Sequence, residues 1–161
     1  MRFLLICMFF AMSFAGGFYH GDIEGVWEIP EEIEGQSSIG KIFIENDKAF
    51  VYTFKYIFSE DSSERNIDNE ESNAKLLKNK IFISNLEFDG KQWDNGKVYN
   101  PNDGEIYNVS AELSDDKNTL LVRISYDRFG FLGKTLQWSR VSNFSHHIPK
   151  HDGFVSLDLV N

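Results

Sequence analysis

The sequence predicts an all-β fold with little helix: an antiparallel up-and-down meander of about eight or more strands that closes into a barrel or stacks as a sandwich. Three observations carry this. Apolar side chains recur at every second position, turn-forming dipeptides separate those runs at short intervals, and helical periodicity is scarce. The first strand opens at Gly25-Val26-Trp27, and Ile42 and Ile44 mark the second. A third carries Phe50, Tyr52, Phe54, Tyr56 and Phe58, alternate positions that point one way, and Phe82, Leu86 and Phe88 belong to a fourth. Tyr107, Val109, Ala111 and Leu113 alternate with Asn108, Ser110 and Glu112, giving one apolar and one polar face. Leu120, Val122, Ile124 and Tyr126 repeat the pattern, and in the last strand Leu136, Trp138 and Arg140 oppose Gln137 and Ser139.

Between these runs, Asn46-Asp47, Asp89-Gly90, Asn95-Gly96, Asp103-Gly104 and residues 115–118 supply side chains that tolerate positive φ or cap their own turn. The best helical candidate is Asn69–Leu77, acidic early and carrying Lys75 and Lys78 late, as the helix dipole favours. Ser59–Asn73 contains one apolar residue, Ile67, and cannot bury itself; it reads as a solvated loop or the edge of a lid. Residues 142–161 change composition, and their alternating Phe154–Leu159 run is placed to add a strand to a sheet edge.

A length of 161 residues fits one domain. With 42% hydrophobic and 15% aromatic residues the chain is not disordered throughout, and three prolines exclude a collagen-like structure. Asp and Glu outnumber Lys and Arg 25 to 16, a formal charge of −9. That surface repels phosphate backbones, so nucleic acid is not an expected partner. Arg2 followed by the apolar stretch Phe3–Met12 and by Ser13-Phe14-Ala15 reads as a signal peptide cleaved before Gly16. The alternative, an anchor, needs about 20 apolar residues to cross a bilayer, so no membrane span is expected after cleavage. The layout is then a signal peptide at 1–15, a lead-in at 16–24, a barrel at 25–141 and an extension at 142–161, with a periplasmic or secreted location. Removing the first fifteen of 161 residues leaves 146, removes Cys7 and Arg2, and moves the charge from −9 to −10. A domain of this size buries about two-thirds of its unfolded surface, so it needs no disulfide.

At the start of an all-β chain, Gly25-x-Trp27 can lay an indole across one end of the barrel. Arg140 from the last strand can stack on it, a contact worth about 0.5–2 kcal/mol. This closes one end and leaves the other open. The aromatic face from Phe50 to Phe58 is the strongest pointer to binding. Five rings exceed what a narrow core easily packs, and a barrel of about eight strands is either filled or holds one small ligand. Both readings of these rings, cavity lining and ordinary core, stay open. Tyr52 and Tyr56 would place hydroxyls among the rings, as a pocket with a few polar anchors does.

The G-x-W opening is similar to that of the lipocalin-like calycin barrels. Residues 96–107 (GKVYNPNDGEIY) resemble the G-x-x-Y-(N/D)-P-x-(D/N)-G-x-x-Y signature of a secreted bacterial family, domain of unknown function 2147. Leu120-x-Val122-Arg123 and residues 132–141 (LGKTLQWSRV) look like its closing segments, so the resemblance covers roughly residues 25–141. It implies an exported lipocalin-like barrel with no established activity. The acidic Ser59–Asn73 stretch stands where the family carries proline and arginine, and residues beyond Ser142 are peculiar to this chain. Physically, the signature is turn machinery: Pro101 presets φ, Asp103-Gly104 closes the turn, and Tyr99 and Tyr107 flank it on paired strands.

Two function classes follow. In the first, a non-catalytic exported protein holds a small apolar or amphipathic molecule, lined by Phe50, Tyr52, Phe54, Tyr56, Phe58, Tyr99, Tyr107 and Trp138, with Gly25, Trp27 and Arg140 closing the barrel. In the second, the acidic exterior, through Glu60, Asp61, Glu64, Asp68, Glu70 and Glu71, docks a basic protein, for instance as an inhibitor of a wall-degrading enzyme. Catalytic motifs such as G-x-S-x-G, H-E-x-x-H and a phosphate loop do not occur, so no enzyme and no cofactor are expected. His146, His147 and His151 invite a metal reading, but adjacent histidines on an extended chain face opposite ways and no thiolate assists them, so no metal site is assigned.

Overall fold

The computed structural model describes residues 17–31, 36–57, 73 and 75–160. The expected signal peptide, Phe58 and the acidic residues 60–71 lie outside the described residues. Eight strands are described: β1 (Gly25–Pro30), β2 (Ser37–Glu45), β3 (Lys48–Ile57), β4 (Ile81–Phe88), β5 (Trp93–Tyr99), β6 (Ile106–Leu113), β7 (Thr119–Ser125) and β8 (Gly133–Arg140). Each pairs antiparallel with the next, and β8 returns to β1, so the meander closes into a barrel rather than stacking as a sandwich. The closing seam is short: β1 and β8 register only at Trp27↔Arg140 and Glu28↔Ser139.

Hairpin chemistry explains the connections. Asn46 and Asp47, at φ 50° and 62°, make the two-residue turn whose twist suits β2 and β3. Asp89 Oδ1 accepts the amides of Lys91 and Gln92 at 2.8 and 2.9 Å in the β4–β5 turn. Asn95-Gly96 does not reverse the chain. It lies inside β5, where Asn95 at φ 60° produces a bulge against β6. A Cβ at Gly96 would stand 2.7 Å from the Leu86 and Val109 side chains, so this glycine serves close interior packing.

The interior is filled toward one end by Trp27, Ile42, Val51, Leu86, Trp93, Val109, Leu120 and Val122. β3 contributes Ala49 and Val51 to this cluster, which corrects the expected facing of that strand. Phe50, Tyr52 and Phe54 point outward and form a second cluster with Val26, Ile39 and Ile81, beneath Phe144, Ile148 and Phe154 of the C-terminal extension. The alternation is real, but the apolar cover for the large rings comes from the extension, so the small residues turn inward. A register shift then reverses the parity: Gly40 faces Thr53 while Ile39 faces Lys55, and beyond this bulge Tyr56 points inward.

The extension crosses the outside of the barrel as a strap. Phe144 meets Phe54 edge-on at 5.3 Å, His151 stacks on Phe43 at 5.0 Å, Phe154 meets Phe50 at 6.1 Å, and Tyr52 donates its hydroxyl to the Pro149 carbonyl at 2.8 Å. Residues 154–159 do not form the expected strand. Phe154 makes a single parallel bridge to Ile81, and Leu157–Leu159 turn into a 3₁₀ helix that buries Leu159. Within the expected helix, Asn73 and residues 75–77 are helical.

Candidate functional site

The two ends of the barrel differ. At one, the 3₁₀ turn His20–Ile23 lies across the opening. Trp27 is fully buried and donates its indole N–H to the Ile23 carbonyl at 3.0 Å, and Trp93 donates to the His20 carbonyl at 3.2 Å. The Arg140 guanidinium carbon sits 4.2 Å from the centre of a Trp27 ring, and the same group donates to the carbonyls of Lys117, Glu24 and Asp22 at 2.6, 2.9 and 2.6 Å. Gly25 has φ 141°, and a Cβ there would stand 2.7 Å from Arg140 Nη1. Glycine is needed on both counts. Partial burial opposes the charge on Asp22, yet the Tyr19 amide, Lys117 and Arg140 outweigh it and hold its carboxyl below the usual range.

At the other end a cavity of about 630 Å³ opens among the β1–β2, β3–β4, β5–β6 and β7–β8 connections. That volume lies within the 300–1,000 Å³ typical of small-molecule sites. Ile29, Phe82, Ile83, Val98, Ile124, Leu136 and Trp138 form its apolar wall, and Gln36, Ser38, Thr53, Tyr56, Ser125 and Lys134 bring polar atoms to it. Tyr56 OH and Thr53 Oγ1 are hydrogen-bonded at 2.9 Å, and Thr53 Oγ1 reaches the Leu77 carbonyl at 3.4 Å, so the helical segment is tied to β3. Burial pushes the Tyr56 phenol up to about 12; the Thr53 bond works against that, and the Glu31 charge adds to it. Among the described residues the buried Trp138 indole N–H has no hydrogen-bond partner, a costly arrangement in the cavity wall.

The Asn100–Glu105 loop builds part of the mouth. Asn100 Oδ1 accepts the Asn102 amide at 3.0 Å, and the Asp103 carboxylate accepts from Asn100 Nδ2, the Glu105 amide and the Tyr107 hydroxyl at 3.1, 2.9 and 2.6 Å. That last bond pushes the Tyr107 phenol well above its ordinary value. Tyr107 therefore offers its ring to the mouth, edge-on to Tyr126 at 4.8 Å, and spends its hydroxyl on the loop. Asn73 Nδ2 donates to Asn102 Oδ1 at 2.7 Å across the opening.

A family model described as "Uncharacterized protein conserved in bacteria (DUF2147)" matches residues 18–140. The chain belongs to the DUF2147 family. The matched span runs from the closed-end lead-in to Arg140 and stops short of the strap. A solved structure described as "Protein HP1028 from the human pathogen Helicobacter pylori belongs to the lipocalin family" is similar to this chain at 30% identity. The match covers 75% of this chain and 84% of that one, with a TM-score of 0.58. No curated protein matches.

In this DUF2147 protein Tyr56, Tyr99, Tyr107 and Trp138 line the cavity. Phe50, Tyr52 and Phe54 do not, because they lie under the strap, and Phe58 is outside the described residues. Gly25, Trp27 and Arg140 meet at the closed end. Two of the three histidines of the extension pack on rings: His151 on Phe43 and Tyr52, and His146 on Phe144. Among the described residues no cluster of His, Cys, Asp and Glu suits a metal ion. Sequence reasoning missed Thr53, Ser38, Ser125 and the apolar wall of Ile83, Val98 and Leu136. The available signal was side-chain size: Ala49, Val51 and Thr53 are the small face of β3, and only a small face leaves room inside a barrel of eight strands.

Proposed function

We propose that this is an exported, non-catalytic binding protein that holds one small apolar or amphipathic molecule in the barrel cavity. The observation that carries the reading is the cavity itself, about 630 Å³ with an apolar wall and polar groups gathered near its mouth. An apolar body packs against Ile83, Val98 and Leu136, while a polar end stays near Tyr56, Ser125 and Lys134. The lipocalin-family description of the H. pylori neighbour supports the same use of the fold.

Titration with N-phenyl-1-naphthylamine, a small apolar fluorophore, tests it. Saturable enhancement at one site per chain is expected, and Leu136→Trp, which fills the cavity, should abolish it while the thermal unfolding transition persists. Native mass spectrometry of the exported protein should also show an added small molecule. Unsaturable binding that Leu136→Trp leaves unchanged would refute the reading.

A further inference from the structure

We infer that the β7–β8 loop is a docking lip for a phospholipid bilayer surface, standing at the mouth of the cavity. Tyr126, Phe129, Phe131 and Leu132 are 67–81% exposed, four large apolar side chains within seven residues. Scattered exposed apolar residues need no explanation, but a contiguous group beside an apolar cavity does. Tyr126 and Leu132 also line that cavity, so lip and interior form one continuous apolar path.

The loop is built rather than loose. Asp127 turns its carboxylate back onto three amides, those of Phe129, Phe131 and Leu132, at 3.1, 3.0 and 2.6 Å. Arg123 donates Nε to the Gly130 carbonyl at 2.6 Å and Nη2 to the Phe131 carbonyl at 3.2 Å. The Tyr126 amide bonds the Leu132 carbonyl at 2.9 Å. The amides of residues 129–132 and the carbonyls of Gly130, Phe131 and Leu132 are thereby bonded within the protein, which lowers the cost of bringing this segment into a water-poor interface. The rings of Phe129 and Phe131 project from this frame 6.3 Å apart.

Charge selects the occupant. Between residues 126 and 134 the one acid, Asp127, is occupied by the loop's own amides, while Arg128 and Lys134 are exposed on a chain of formal charge −9. Aromatic rings flanked by cations suit the level of the bilayer where acyl chains meet headgroup phosphates. Docking in this pose would set the cavity opening against the lipid surface. The inference goes beyond ligand binding and does not depend on the cavity being occupied.

Flotation with phosphatidylcholine vesicles tests it, comparing the wild type with F129S/F131S, both carrying the same N-terminus. The wild type should float, and the double variant's bound fraction should fall about tenfold with its thermal transition unchanged, since both rings are exposed. A local readout comes from Phe131→Trp, because Trp27, Trp93 and Trp138 are all buried. Its added emission should shift to the blue on vesicle addition and be quenched by brominated acyl chains. Emission unmoved by vesicles, or flotation equal in the two proteins, overturns the inference. So does a wild-type dimer that the double variant disperses while neither protein binds vesicles, because the lip then docks a second copy of the chain.

Discussion

Trp27 and Trp138 are almost equally buried in one barrel, yet the indole N–H of the first reaches a carbonyl and that of the second has no partner among the described residues. The difference follows the two ends. At the closed end the lead-in, Arg140 and two tryptophans exchange hydrogen bonds until the opening is filled. At the open end the wall is apolar, the space is unfilled, and Tyr56 is raised in pKa by its burial. Stability is concentrated where nothing has to enter, and the cavity carries the empty volume, with the unpartnered Trp138 donor deep in its wall.

Replacing closed-end groups breaks the comparison most severely. Trp27→Ala should cost about 3–5 kcal/mol in urea unfolding, because it leaves a large cavity and strips Arg140 of its stacking partner. Arg140→Met keeps most of the packing but removes the donors to three carbonyls, for a loss of about 2–3 kcal/mol. Fluorophore affinity measured under native conditions should stay within about twofold of wild type in Arg140→Met, since the cavity lies at the other end.

The outer face of β3 sharpens the contrast. Phe54→Ala should lose roughly 2 kcal/mol by detaching the strap from the barrel wall, again with unchanged fluorophore affinity. Weakened affinity would mean that the large rings reach the interior after all.

Tyr56→Phe should have the smallest effect at neutral pH, about 1 kcal/mol from the lost Thr53 bond. Its pH dependence is more informative. The phenol is held near 12 in the fold against an ordinary 10, so its contribution is fully present below pH 10 and is lost as pH rises toward 12. Unfolding measured across that window should therefore fall less steeply in Tyr56→Phe than in the wild type.

The strand order was legible because it rests on short-range signals, and the closed end because its few residues sit at the two ends of the meander. Asn46-Asp47 and the period-two runs specify hairpins, and Gly25, Trp27 and Arg140 need only the first strand to meet the last. The cavity was less legible. Tyr99, Tyr107 and Trp138 were found through their strand positions, but Phe50, Tyr52 and Phe54 were assigned to the wrong side of β3. Tyr56 lines the cavity for a reason the sequence did not show, the bulge between Thr53 and Lys55. Asn95-Gly96 has turn composition, yet strands already paired on both sides make it a bulge.

Alternation along the chain determined that this protein is an antiparallel meander, because period two forces two unlike faces and hairpin residues force antiparallel neighbours, and it left closure to the pairing of β8 with β1. It did not determine which face of β3 is inside. Swapping in for out leaves the pattern unchanged, and an apolar face is equally stable in a barrel core or under a cover. Only the tertiary structure decided that: the strap covers the large rings from outside, the small residues turn inward, and the volume they leave is the cavity.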